Sequence, residues 1–207
     1  AIRKVSEDAG GRPVHLLGWS LGGVLALTTA ATHGDLPIQT VTMVGSPFDF
    51  SKNPMLATVR GIGAVTGGRI IGTGMKLMGS IPAPLVSLGF KATSLPVYLK
   101  KPRTLWSRRN DREFLGQIQA VDQIMNNMLA YPGRATLQAY HRMALRNELA
   151  TGKIQGPNKL VDFADITIPV MNVAGKTDGL APRASVQHVA EIIPNSPDVR
   201  LPVAPGG

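Results

Sequence analysis

The sequence predicts an α/β fold: part of a parallel sheet with flanking helices, interrupted once by an inserted helical region. Three observations carry this reading. Short, mainly apolar runs at residues 14–17 and 169–175 have the character of buried parallel strands. An Ala- and Leu-rich stretch at 24–32 reads as a helix between the first of these and a second strand at 40–45, which makes a strand–helix–strand unit. Residues 51–159 then lose all strand alternation, and the α/β pattern resumes from Ile168.

In chain order, residues 1–10 end a charged helical segment, stopped by Gly10-Gly11-Arg12-Pro13. The first helix closes near Gly34, and the second strand breaks at Ser46-Pro47-Phe48-Asp49-Phe50. Residues 60–79 are rich in glycine (Gly61, Gly63, Gly67, Gly68, Gly72, Gly74). Helical patterns follow at 114–129 and 136–149, parted by Tyr131-Pro132-Gly133. A helix at 184–193 and a last short strand at 199–203 complete the pattern. The expected organisation is a core of residues 1–50 and 160–207, with an all-helical cap or lid at 51–159. The apolar residues Met75, Leu77, Met78, Ile81, Leu85, Val86 and Leu88 read as packing within that insertion, or as a lid over an apolar substrate.

Composition narrows the functional classes. The chain has 207 residues, 43% of them hydrophobic, enough for one domain with a real core. It has no cysteine, which excludes disulfides and thiolate metal sites and fits a reducing compartment. Lys and Arg number 22 against 13 Asp and Glu, and the net charge is +9. The densest basic cluster is Lys100, Lys101, Arg103, Arg108, Arg109 and Arg112, which reads as a solvated face or as a site for substrate phosphates. No arginine-rich arm, zinc-finger spacing or RNA-binding aromatic motif is present, so no nucleic-acid partner is expected. The longest uncharged apolar stretch, 77–90, is broken by Pro82 and Pro84 and is too short to span a bilayer. The N-terminal residues form no apolar leader, and the expected location is cytoplasmic.

The chemistry concentrates at Gly18-Trp19-Ser20-Leu21-Gly22, which fits the G-x-S-x-G nucleophile elbow of α/β-hydrolases. A strand stands before it and a small-residue helix after it, as that motif requires. Such a turn strains the serine backbone and lifts its hydroxyl above the sheet. Gly18 and Gly22 are expected to flank Ser20 because a β-carbon at either place would clash. The helix that follows directs its N-terminus at the site, so the Leu21 N–H is expected to be one oxyanion donor.

Asp178, in Lys176-Thr177-Asp178-Gly179 just after the later strand, is the candidate acid that would orient an imidazole. Asp49 competes, but it precedes the insertion and reads as a loop residue. His15 lies within the first strand and reads as core; His33, His141 and His188 fall on helices. None follows a strand after the acid, as the chain order of this motif demands. The catalytic histidine is therefore expected immediately after Gly207, and the 207-residue chain alone is expected to be inactive.

Three segments resemble the polyhydroxyalkanoate synthase-like branch of the α/β-hydrolases. They are His15-Leu16-Leu17-Gly18-Trp19-Ser20-Leu21-Gly22-Gly23, Thr42-Met43-Val44-Gly45-Ser46-Pro47-Phe48-Asp49-Phe50 and Ala174-Gly175-Lys176-Thr177-Asp178-Gly179-Leu180-Ala181-Pro182. The closing Ala204-Pro205-Gly206-Gly207 looks like the stretch that runs into that family's histidine. The resemblance implies a partial α/β-hydrolase fold, the C-terminal half of the sheet, whose elbow strand exposes an unpaired edge. It also implies a small-molecule or polyester acyl substrate, with acyl-coenzyme A as a possible donor meeting Lys100, Lys101, Arg103, Arg108 and Arg109. Synthases of that family use cysteine where this chain has Ser20, which raises ester or thioester hydrolysis beside acyl transfer. The contrasting expectation is a non-catalytic homologue that binds polyester granules or partners. No metal or organic cofactor is implied.

Overall fold

The computed structural model describes residues 1–53, 56–57, 60–61, 65, 73, 79–93, 95–156 and 159–205. Gly63, Gly67, Gly68, Gly72, Gly74, Met75, Leu77, Met78, Gly206 and Gly207 lie outside them. The chain forms two compact units, residues 1–61 with 142–207, and residues 62–141.

The first unit opens with α1 (Ile2–Asp8), β1 (Val14–Trp19), α2 (Leu21–Thr32) and β2 (Ile38–Val44). The second unit holds β3 (Ser80–Ile81), α3 (Ala83–Thr93), α4 (Leu95–Ser107), α5 (Arg112–Asn126), β4 (Tyr131–Pro132) and α6 (Gly133–Ala139). The chain then passes through a π-helical turn, Tyr140–Leu145. The first unit resumes with β5 (Lys153–Gln155), β6 (Leu160–Asp162), β7 (Val170–Gly175), α7 (Arg183–Gln187), α8 (Val189–Ile192), β8 (Val199–Arg200) and β9 (Val203–Ala204).

The expected parallel sheet is present. β1 pairs with β2 (Leu17↔Thr42), β2 with β7 (Val41↔Val170), and β7 with both β8 (Val170↔Val199) and β9 (Ala174↔Val203), all in parallel. The strand expected at 199–203 is two pieces because Pro202, which has no N–H, interrupts it. One face of the sheet is packed. Val24 and Leu27 of α2 meet Val41 and Met43 of β2, together with Phe48, Leu149, Phe163 and Ile166. Leu27 is completely buried, a contribution of about 2 kcal/mol at typical transfer values. Phe48 and Phe163 meet edge to face at 6.1 Å.

Three expectations change. β1 is the edge strand among the described residues, as expected, but the face carrying His15, Leu17 and Trp19 is exposed there, where His15 was expected to be core. Its Nδ1 lies 2.8 Å from Thr40 Oγ1 on the neighbouring strand. The insertion is not all-helical: β3 and β4 pair antiparallel through two residues each, too few for alternation to show. Residues 142–159, read as insertion, belong to the first unit, where Leu149 is fully buried and β5 pairs with β6. In the second unit, Val86 is buried while Leu85 and Leu88 are exposed. No helix among the described residues is long and apolar enough to cross a membrane.

Candidate active site

Ser20 stands between β1 and α2 with φ 52° and ψ −120°, one of two non-glycine residues in the described chain with positive φ. An L-residue adopts this backbone only when its surroundings impose it. They do so from three sides. The Ser20 N–H donates to the Val44 carbonyl at 2.8 Å. The Ser20 carbonyl accepts from the Gly23 N–H at 3.0 Å and from the Ser46 hydroxyl at 2.8 Å. The helix begins at Leu21, three residues earlier than the composition suggests, because the left-handed Ser20 turns the chain directly from strand to helix.

The glycines divide differently from the expectation. A β-carbon on Gly18 would lie 2.5 Å from the Gly23 Cα. One on Gly23 would lie 2.1 Å from Ser46 Oγ and 2.9 Å from Met43 Cγ. One on Gly22 would meet nothing within 4 Å. Gly18 and Gly23 therefore let α2 settle onto the strand ends, and the expected clash at Gly22 is absent because that residue faces away from them. The Ser20 side chain is exposed. The Leu21 N–H opens the first turn of α2, among the amides that a helix start leaves without an intrahelical partner.

Asp178 follows the end of β7. Its Oδ1 accepts from the amides of Leu180 (2.8 Å) and Ala181 (2.9 Å), which fixes the carboxylate plane. Its Oδ2 lies 3.5 Å from where a β-carbon on Gly45 would stand, and Gly45 itself has φ +58°. Ser20, Gly45-Ser46 and Asp178 thus follow the C-terminal ends of three neighbouring parallel strands, the edge where open α/β sheets place their sites.

Asp49 plays a different part. It is buried and accepts from the Ser51 amide (2.9 Å), the Ser51 hydroxyl and Asn147 Nδ2 (2.8 Å). Burial by itself would raise its pKa, but the bonds from Ser51 and Asn147 and the charge of His188 together outweigh it and hold the carboxyl below its ordinary value. Asn147, at φ 51°, also accepts from the Phe50 N–H at 2.8 Å, so this cluster fastens the loop after β2.

His33 caps the C-terminus of α2, the end opposite Ser20. His188 is held by the Ala150 carbonyl (Nε2, 2.9 Å) and by Glu191 (Nδ1, 3.1 Å). His141, in the second unit, stacks edgewise on Tyr140. In that unit the basic cluster is partly committed: Lys101 pairs with Asp122, Arg108 lies over the Phe114 ring at 4.6 Å, and Arg109 over Trp106 at 5.1 Å. Lys100, Arg103 and Arg112 are exposed.

Two buried residues of the site were not legible beforehand, Ser46 and Asn172 of β7. Asn172 Nδ2 donates to the carbonyls of Ser46 (2.9 Å) and Val186 (3.0 Å). The one available signal was a lone amide within an otherwise apolar strand.

The strained serine at a strand–helix turn, with a carboxylate two strands away, defines a protein of the α/β-hydrolase class. The α/β-hydrolase fold family matches residues 1–204, and the chain belongs to it. Among curated proteins the chain is similar to the poly(3-hydroxyalkanoate) polymerase subunit PhaC of Synechocystis sp., 25% identical over 201 residues, covering 94% of this chain and 52% of that protein. The same subunit from Rhizobium meliloti is 26% identical over 196 residues, covering 90% of this chain and 30% of that protein. The chain thus spans about half the length of one curated relative and under a third of the other, and the resemblance read from its motifs is borne out. Among solved structures, the monoacylglycerol lipase of Paleococcus ferrophilus shares the fold at TM-score 0.50 and 16% identity, over 98% of this chain and 62% of that one.

Proposed function

We propose that the protein works through a serine acyl-enzyme on hydroxyacyl esters or thioesters. The observation that carries this is the backbone of Ser20, held at φ 52° with its side chain exposed at the start of a helix. Ser20 Oγ attacks the acyl carbonyl while its proton passes to a histidine. The developing oxyanion accepts from the Leu21 N–H. Collapse expels the alcohol or thiol, which takes the proton back from the imidazolium. Water or a second hydroxyl then attacks the acyl-serine, so hydrolysis and acyl transfer share every step up to the acceptor. Asp178 Oδ2 orients the imidazole, since Oδ1 is occupied by its own loop. In this reading the base is none of His15, His33, His141 and His188: His15 lies in β1, His33 at the far end of α2, and His188 is bonded to Ala150 and Glu191. Lys100 and Arg103, exposed on α4, would meet the phosphates of a coenzyme A donor, with smaller contributions from Lys101, Arg108 and Arg109. The similarity to polymerase subunits supports the hydroxyacyl class, and the serine in place of a thiol supports an oxygen ester as the intermediate.

The test uses the protein expressed from its complete coding sequence, mixed with a 3-hydroxyacyl-coenzyme A, with Ser20→Ala as control. Ester-linked oligomer that disappears in the control establishes acyl transfer, and free hydroxy acid alone establishes hydrolysis. If neither forms and Ser20 is never acylated, the serine mechanism is wrong and a non-catalytic binding role takes its place.

A further inference from the structure

We infer that Ser46 and Asn172 are positioning residues that hold the nucleophile's strained backbone to the strand that delivers the acid. The inference rests on the serine mechanism proposed above. Of the donors to the Ser20 carbonyl, the Gly23 amide (3.0 Å) and the longer Val24 amide (3.4 Å) belong to α2 and move with it. The Ser46 hydroxyl (2.8 Å) comes from outside the helix, from the end of β2. It therefore fixes where the elbow sits over the sheet, and not merely how the helix begins. Ser46 is completely buried, and Gly23 comes so close to its Oγ that no β-carbon fits between them.

The second link lies behind the first. The Ser46 carbonyl accepts from Asn172 Nδ2 at 2.9 Å, and Asn172 sits six residues before Asp178 on the strand that leads to it. Gly45, next to Ser46, donates its N–H to the Val173 carbonyl at 2.8 Å and leaves the space that Asp178 Oδ2 faces. One short segment, Gly45-Ser46, thus touches the elbow on one side and the acid's strand and loop on the other. Asn172 is wholly buried, and its Oδ1 has no hydrogen-bond partner among the described residues. An incompletely satisfied amide inside a strand of valine, methionine and alanine is a poor choice for stability. Its two donated bonds supply geometry instead.

The test is the rate at which a p-nitrophenyl phosphonate modifies Ser20, read as one equivalent of released nitrophenolate. It uses the protein expressed from its complete coding sequence. Saturation kinetics separate the maximal labelling rate from the concentration giving half of it, and thermal unfolding is followed in parallel. In Ser46→Ala the maximal rate is expected to fall about tenfold, because small misplacements of a reacting group carry large rate penalties, with the half-saturating concentration unchanged. Ser46→Cys, close in size and a weaker donor, is expected to lie between the two, and it serves as the comparison if Ser46→Ala does not fold. Asn172→Ala is expected to slow labelling in the same sense. A lower unfolding temperature with an unchanged maximal rate overturns the inference and leaves Ser46 as packing. If the unsubstituted protein is not labelled at Ser20, the serine mechanism itself fails, and this inference with it.

Discussion

Exchanging single glycines for alanine tests how the elbow is built. In Gly23→Ala the new β-carbon would stand 2.1 Å from Ser46 Oγ, 2.9 Å from Met43 Cγ and 3.0 Å from Met43 Cβ. Ordinary contact needs more than 3.4 Å, so α2 must lift from the end of β2 by roughly 1 Å or Ser46 must surrender its bond to Ser20. Overpacking of this kind costs about 1–3 kcal/mol. Losing the Ser46 bond costs about 1 kcal/mol more. Against this, alanine gains up to about 1 kcal/mol over glycine inside a helix. The net expectation for Gly23→Ala is a loss of about 1–3 kcal/mol, or roughly 2–12 °C in unfolding temperature for a chain of this size. Gly22→Ala meets open space and keeps only the helix gain, so it should stabilise by up to about 1 kcal/mol. Urea unfolding of both variants, beside phosphonate labelling of Ser20, measures the contrast. Equal destabilisation by the two exchanges, or a tolerated Gly23→Ala with normal labelling, would refute the view that Gly23 seats the helix on Ser46.

Two further outcomes follow from the carboxylates. Asp178→Asn keeps an oxygen for the Leu180 and Ala181 amides, which forces its NH₂ to the place of Oδ2. That group cannot accept from an imidazole, so Ser20 acylation should slow by about 10³–10⁴-fold with little change in unfolding midpoint, measured by the same labelling assay. For Asp49 the folded pKa lies below the ordinary 3.8. Its contribution to stability is then fully present above that value and is lost as pH falls through the lowered folded value. Asp49→Asn should flatten the acid side of the stability–pH curve, read as urea midpoints between neutral and acid pH, while a profile parallel to that of the unsubstituted protein would show the Ser51–Asn147 cluster to be without weight.

Much of the fold was legible because it is local. The order strand, elbow, helix, strand follows from contiguous residues, and the G-x-S-x-G spacing set between a strand and a small-residue helix points to the turn found at Ser20. The side chain of Asp178 was legible through its place after a strand and before glycine. What could not be read depends on neighbours distant in sequence. Gly22 and Gly23 are adjacent, and only the approach of Met43 and Ser46 decides which of them is crowded. His15 reads as core because its strand is apolar, yet its side chain is exposed among the described residues. Residues 153–155 and 160–162 hid an antiparallel pair because each strand has three residues.

Ser46 and Asn172 show why the interior of such a site resists sequence reading. The serine bonds a residue 26 positions earlier, and the asparagine bonds one 126 positions earlier. No periodicity encodes either contact. The two halves of the first unit are separated along the chain by the second unit, so Ser20 and Asp178 cannot be brought to one sheet edge by local turn chemistry alone. Local chemistry creates the strained Ser20, and strain persists only where the surroundings over-determine it. The over-determination comes from across the sheet: Val44 holds the Ser20 amide, Ser46 holds its carbonyl, and Asn172 holds Ser46. A motif therefore identifies the strained residue, whereas the residues that keep it strained become visible only when the strands stand side by side.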